Sequence, residues 1–236
     1  MFTFKGVHSC DMGLQASGDL VLNSPVRDKH LVQIAGRNGD VVMDNGRFDS
    51  VIRSIGCRLL ALRNTNVETT INAIQSWLTT NPGYHEFLWD DDPEFVYCAM
   101  VDGTVNANRI LPKFGKMVID FRLYPIKYLR SSLNERKVVS GTNITNQFEI
   151  AAKPIIRIVG SGNLLLNIGE QVLDLRDVHN GIIIDSEMMT VTNLDGNLTE
   201  FEKMYSTFPE LQPGSNNITF DGDIQVFITP RLGRLV

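Results

Sequence analysis

Lys153-Pro154-Ile155-Ile156-Arg157-Ile158-Val159-Gly160-Ser161-Gly162-Asn163-Leu164-Leu165-Leu166-Asn167-Ile168 is a pair of short aliphatic runs around a Gly-Ser-Gly turn. Runs this short, rich in branched side chains and bounded by glycine, read as strands. The pattern continues downstream through Val172–Leu175, Gly181–Asp185, Met189–Thr192, Asn216–Phe220 and Ile224–Thr229. Asn180-Gly181, Asp195-Gly196 and Asp221-Gly222-Asp223 separate these runs. Short strands at regular spacing with such turn residues predict a β-sandwich. Gly160-Ser161-Gly162 and Asp221-Gly222-Asp223 both read as hairpin turns, and Thr199–Tyr205 as a single helical turn.

Upstream the chain is also strand-rich, with one clear helix. Leu31–Ala35 meets a turn at Gly36-Arg37-Asn38-Gly39, and Val41-Val42-Met43 runs into a second Asn-Gly pair, Asn45-Gly46. Asn-Gly tolerates positive φ at low cost, so the two pairs read as two turns of a meander or of a projecting hairpin. Val67, Ile71, Ile74, Trp77 and Leu78 recur at helical intervals. Thr65 and Glu68 have capping-box spacing, and Asn81-Pro82-Gly83 ends the helix. Tyr84–Trp89, Phe95–Asp102 and Gly115–Leu123 are further strands. The charged, weakly periodic stretch from Arg130 to about Ser140 marks the boundary between a domain over residues 1–130 and one over 131–236. The class is mainly β with one main helix.

Composition narrows the function. The 236 residues carry a formal net charge of -5 and are 43% hydrophobic, ordinary for a globular chain with a sizeable core. Mild acidity argues against specific nucleic-acid binding, which needs clustered Lys and Arg. No apolar stretch approaches the ~20 residues that cross a bilayer, so no membrane insertion is expected. No signal-peptide pattern opens the chain, which points to synthesis in a reducing cytoplasm. Cys10, Cys57 and Cys98 are odd in number and far apart, which reads as buried reduced thiols rather than a disulfide framework.

Chemistry is sparse. Asp90-Asp91-Asp92-Pro93 is the densest acidic cluster, but adjacent residues point to alternate sides and the spacing fits no calcium loop. It reads as a turn. Asp185 and Glu187 flank Ser186 at a strand end and are the one carboxylate pair that glycoside hydrolysis could use. His8, His30, His85 and His179 are isolated and lack zinc-site spacing. No nucleophile elbow, dinucleotide loop or phosphate loop is present. The reading is therefore no enzyme, no catalytic residue, no cofactor and no metal.

Several motifs in fixed order resemble the distal tail proteins of long-tailed, siphovirus-type bacteriophages. They are Phe4-Lys5-Gly6-Val7-His8-Ser9-Cys10-Asp11-Met12-Gly13-Leu14, Ile34-Ala35-Gly36-Arg37-Asn38-Gly39-Asp40, Met43-Asp44-Asn45-Gly46-Arg47-Phe48, Trp77-Leu78 and Asp91-Asp92-Pro93. Phe114 to Pro125 looks like the strand closing the family's first domain. Lys153-Pro154-Ile155-Ile156, Ile183-Ile184-Asp185-Ser186-Glu187 and Phe208 to Asn216 look like its second.

The resemblance implies a structural virion protein. Its N-terminal β domain, with a covering helix, would form a homohexameric ring continuing the tail tube. A C-terminal galectin-like β-sandwich would face outward. Implied partners are the tail tube protein, a tail-associated or tail-tip protein, and receptor-binding or baseplate proteins, all at the virion tail tip or baseplate. DNA would pass through a channel, whose wall the net charge suggests is neutral or acidic. Leu31–Leu62 is the candidate ring-forming segment, with Gly36, Arg37, Asn38, Gly39, Asn45 and Gly46 as candidate subunit-interface residues. The alternative is a β-sandwich that binds host-cell saccharide, for which Trp89, Tyr205 and Phe208 are the aromatic candidates.

Overall fold

The computed structural model describes residues 1–17 and 22–236. The chain forms two units, Met1–Lys127 with Leu235–Val236, and Tyr128–Arg234. The fold is mainly β, 52% strand and 10% helical.

In the first unit the strands are β1 (Phe2–Phe4), β2 (Val7–His8), β3 (Leu14–Ala16), β4 (Arg27–Val32), β5 (Val41–Phe48), β6 (Val51–Leu60), β7 (His85–Trp89), β8 (Phe95–Val101), β9 (Asn106–Leu111) and β10 (Phe114–Leu123). The main sheet runs β2-β1-β7-β8-β10-β6-β3. The long β10 pairs along its whole length with β6. On its other edge it pairs with β9 through Phe114–Val118 and with β8 through Phe121–Leu123.

Strict alternation sets the faces. Val51, Arg53, Ile55, Cys57 and Leu59 of β6 point inward, with Met117, Ile119, Phe121 and Leu123 of β10. Phe2, Phe4, Phe87 and Phe121 are fully buried, and Phe4 meets Phe121 edge-on at 5.1 Å between ring centroids. Helix α1 (Val67–Thr79) covers this face through Val67, Ile74 and Leu78. Its cap is Asn66, one residue after the expected Thr65: Asn66 Oδ1 accepts from the Thr69 N–H at 2.8 Å. The Thr65 hydroxyl instead donates back to the Leu62 carbonyl, and Glu68 pairs with Arg109 of β9. At the other end Lys5 donates to the carbonyls of Trp77, Leu78 and Thr80, placing a cation on the negative helix terminus.

The short strands β11 (Ile126–Leu129) and, at the chain's end, β21 (Gly233–Leu235) carry the chain out of the first unit and back.

The second unit holds β12 (Arg136–Val138), β13 (Thr142–Asn146), β14 (Ile155–Val159), β15 (Gly162–Ile168), β16 (Gln171–Val178), β17 (Gly181–Asp185), β18 (Thr190–Asn193), β19 (Gly214–Phe220) and β20 (Gln225–Thr229). A five-stranded sheet, β12-β20-β14-β17-β18, and a four-stranded sheet, β13-β19-β15-β16, enclose one core. Ile156, Ile158, Ile182 and Ile184 come from the first sheet, Leu166, Leu173, Leu175 and Ile218 from the second. This is the expected sandwich.

Two turns differ from their reading. Gly160-Ser161-Gly162 joins β14 to β15, and Asp221-Gly222-Asp223 joins β19 to β20; in both cases the strands lie in different sheets. They are arches over the edge of the sandwich, not hairpins. Asn180-Gly181 makes a third such crossing. A Cβ on Gly181 would lie 2.4 Å from the Ile158 carbonyl oxygen, so the backbones meet there only because the residue is glycine. The expected helical turn near Thr199 is a 3-10 turn at Phe201–Lys203.

Candidate functional site

Strands β4 and β5 form a two-stranded sheet separate from the main one. The candidate residues Gly36, Arg37, Asn38 and Gly39 lie in its connecting loop, all exposed, and the Arg37 N–H donates to the Ile34 carbonyl. Asn45 and Gly46 do not form the second turn expected of them. They sit inside β5, where the register jumps between Arg27, opposite Phe48, and Lys29, opposite Asp44. The extra residues make a bulge, and Gly46, at φ 74, takes the positive-φ position.

Charged side chains fasten this bulge. Arg27 grips Asp44 with both arms, Nε to Oδ1 at 2.9 Å and Nη2 to Oδ2 at 2.7 Å. Arg47 Nε donates to Asp28 at 2.6 Å, and Asn45 Nδ2 donates to the same carboxylate at 3.0 Å. The Gly46 N–H donates to Asp44. Arg27 holds the Asp44 carboxyl below its usual range, and Arg47 does the same for Asp28. The Arg27 guanidinium also lies 4.8 Å from the Phe48 ring centroid. A lone two-stranded ribbon is marginal in water, and this polar clamp adds cross-strand contacts at the bulge.

Beyond the clamp the hairpin is apolar and uncovered. Leu31 stands opposite Val42, and His30 opposite Met43. Leu31, Val42 and Met43 are 58%, 59% and 57% exposed, and Ile34 near the tip is 50% exposed. Directly opposed residues share a face and alternate rows switch face, so apolar side chains stand on both faces of the ribbon.

The residues weighed for other chemistry are placed elsewhere. Asp185 Oδ1 accepts from Arg231 Nη1 at 2.6 Å and from the N–H groups of Glu187 and Met188 at 3.0 Å each; Oδ2 accepts from Arg231 Nη2 at 3.0 Å. It fastens a turn to the segment after β20. Asp92 closes its turn by accepting from the Tyr97 hydroxyl and the Lys127 ammonium, each at 2.6 Å. Among the described residues, no three His, Cys, Asp or Glu come together as metal ligands, and no helix is long and apolar enough to cross a membrane.

Trp89 is in the core of the first unit. Tyr205 is 60% exposed, with the Arg176 guanidinium 4.2 Å from its ring centroid, and Phe208 is half-buried beside Phe201. The thiols were all expected to be buried. Cys57 is, and burial pushes it up to about 12, but Cys98 is only half-buried and Cys10 is exposed on a surface 3-10 turn.

Neither a protein-family model nor a curated protein matches this sequence. Among solved structures, the SPP1 Dit (gp 19.1) protein superposes with a TM-score of 0.73 at 14% identity, over 96% of each chain. That protein is described as a paradigm of the hub adsorption apparatus in phages infecting Gram-positive bacteria. The chain has the fold of a phage hub protein. A chain of the phage P2 baseplate in its activated conformation with Ca aligns at a TM-score of 0.46 and 9% identity, over 97% of this chain and 92% of that one. The hub fold is assigned on the SPP1 Dit comparison alone, which spans both units.

Proposed function

We propose that this protein is the structural hub at the distal end of a phage tail tube. Six copies close into a ring that continues the tube and leaves a channel for DNA. The first unit makes the ring, and the second presents a sandwich to tail-tip, baseplate or receptor-binding proteins. The protein sits in the virion tail, performs no catalysis and needs no cofactor.

The observation that carries this reading is the β4–β5 hairpin. It is clamped by Arg27–Asp44 and Arg47–Asp28, yet it leaves Leu31, Val42, Met43 and Ile34 in water. A clamped, exposed apolar ribbon in a chain with a hub fold fits a contact with the neighbouring copy. Burial of those side chains supplies the driving force, and Arg37 at the tip reaches across. Such head-to-tail contacts close into a ring when the rotation per copy fits six.

The test is native mass spectrometry of the purified protein with negative-stain imaging of any oligomer. A hexamer with a central hole is the expected result. A monomer at all concentrations that also fails to close into a ring on purified tail tubes refutes the reading.

A further inference from the structure

The face of the main sheet turned away from α1 and the core carries an unusual row. Across four adjacent strands, Gln15 of β3 stands opposite Arg58 of β6, Arg58 opposite Lys116 of β10, and Lys116 opposite Asn108 of β9. All four are exposed. Strands lie about 4.8 Å apart, so the row spans roughly 14 Å. Two cations directly opposite one another repel, and a cross-strand pair of this kind works against the sheet.

Of the 22 Lys and Arg side chains, nine find a carboxylate among the described residues. Among the described residues, Arg58 and Lys116 make no ion pair. The flanking row holds Gly56, Val118 and Asn106, without charge. The nearest acid along β10 is Asp120, four residues and about 13 Å from Lys116.

We propose that this row is a sequence-independent contact for the phosphate backbone of duplex DNA. Two directly opposed cations carry the positive charge that neighbouring phosphates attract, and the flanking amides of Gln15 and Asn108 can turn their NH2 groups to phosphate oxygens as donors. The proposal rests on the hub reading, which is what brings DNA to this chain. It departs from the neutral or acidic wall suggested by the net charge of -5. Net charge sums the whole surface, whereas a passing duplex meets only the face turned toward it.

The experiment titrates a fluorescent 20-base-pair duplex of random sequence into the intact protein, starting from low salt. The variant is Arg58→Gln/Lys116→Gln, and the control is Arg130→Gln/Arg136→Gln, which removes two exposed charges from the other unit. The expected result is weak, salt-sensitive binding with a log–log salt slope of about -2 for each copy engaged. The variant should bind at least tenfold more weakly with a slope near zero, and the control should match the parent.

Three results overturn the proposal: no binding at the lowest salt, equal loss in the control, or polyglutamate binding as tightly as the duplex, which points to an acidic protein partner. Native mass spectrometry of the same proteins separates the two ideas. Rings without salt-sensitive DNA binding sink this contact and leave the hub. DNA binding lost only in the variant, by a protein that neither forms rings alone nor closes into a ring on purified tail tubes, supports the contact and sinks the hub.

Discussion

Replacing Asp185 should unfasten the second unit while leaving the first intact. Its carboxylate holds Arg231 with two hydrogen bonds and accepts two backbone N–H groups at the turn after β17. Asp185 and Arg231 are 15% and 21% exposed, so solvent screens the pair only in part. Asp185→Ala leaves a mostly buried guanidinium without its partner, at a cost of about 2–3 kcal/mol. The two amides add about 1 kcal/mol in total, because Met188 is exposed and its N–H regains water. The sum is about 3–4 kcal/mol. Asp185→Asn keeps an acceptor for the amides and loses the charge, so about half that is expected.

The assay exploits the placement of the tryptophans. Both, Trp77 and Trp89, lie in the first unit, so urea unfolding followed by tryptophan fluorescence reports that unit, while far-ultraviolet circular dichroism reports both. The circular dichroism transition should move to lower urea by at least 1 M for Asp185→Ala, given a slope of about 1–3 kcal/mol per molar. The fluorescence midpoint should stay. A wild-type circular dichroism midpoint in Asp185→Ala, or an Asn variant as unstable as the Ala variant, would refute the account of this carboxylate as a fastener.

Asn66→Ala should cost about 1 kcal/mol through loss of the α1 cap, and Thr65→Ala clearly less, measured by the same urea titration. Leu31→Lys/Val42→Lys should abolish ring formation in native mass spectrometry while moving the melting temperature by no more than about 2 °C, because surface substitutions of this kind are nearly neutral. Cys57 gives a pH dependence of definite sign. Burial raises its thiol from 9.0 to about 12, so its contribution is complete below pH 9 and is lost as pH climbs to 12, where the unfolded thiol ionises first. Cys57→Ala should therefore flatten the alkaline fall in stability, and a fall as steep as the parent's in that variant would exclude Cys57 as its source. Titration with a disulfide reagent at pH 8 should consume Cys10 promptly, and Cys57 only after denaturant is added.

Much of the second unit was legible because its strands are short, aliphatic and bounded by turn residues. What Gly160-Ser161-Gly162 and Asp221-Gly222-Asp223 could not disclose is which strands become neighbours. A glycine-rich segment reverses the chain equally well within a sheet or between two. In the first unit β9 escaped notice because Asn106-Ala107-Asn108-Arg109 has little strand propensity; it exists as a strand because the long edge of β10 holds it.

The candidate site was half readable. Gly36-Arg37-Asn38-Gly39 is a connecting loop, as its composition suggests, whereas Asn45-Gly46 is a bulge. Turn and bulge ask for the same positive φ, so the dipeptide alone does not separate them. The clamp of Arg27 on Asp44 and the Arg58–Lys116 row depend on register. Register is decided by pairing across many residues and leaves no mark in local composition.

The path of the chain also bears on how such a protein can change. The second unit is entered after Lys127 and left before Leu235, and at its base the Leu129 N–H donates to the Leu232 carbonyl at 2.7 Å. It is therefore a cassette whose two ends emerge side by side from one seam. Recombination at that seam can swap the whole sandwich for another module without cutting a strand of the first unit's main path from β2 to β3. Such an exchange would leave the first unit's strand pairing as it stands.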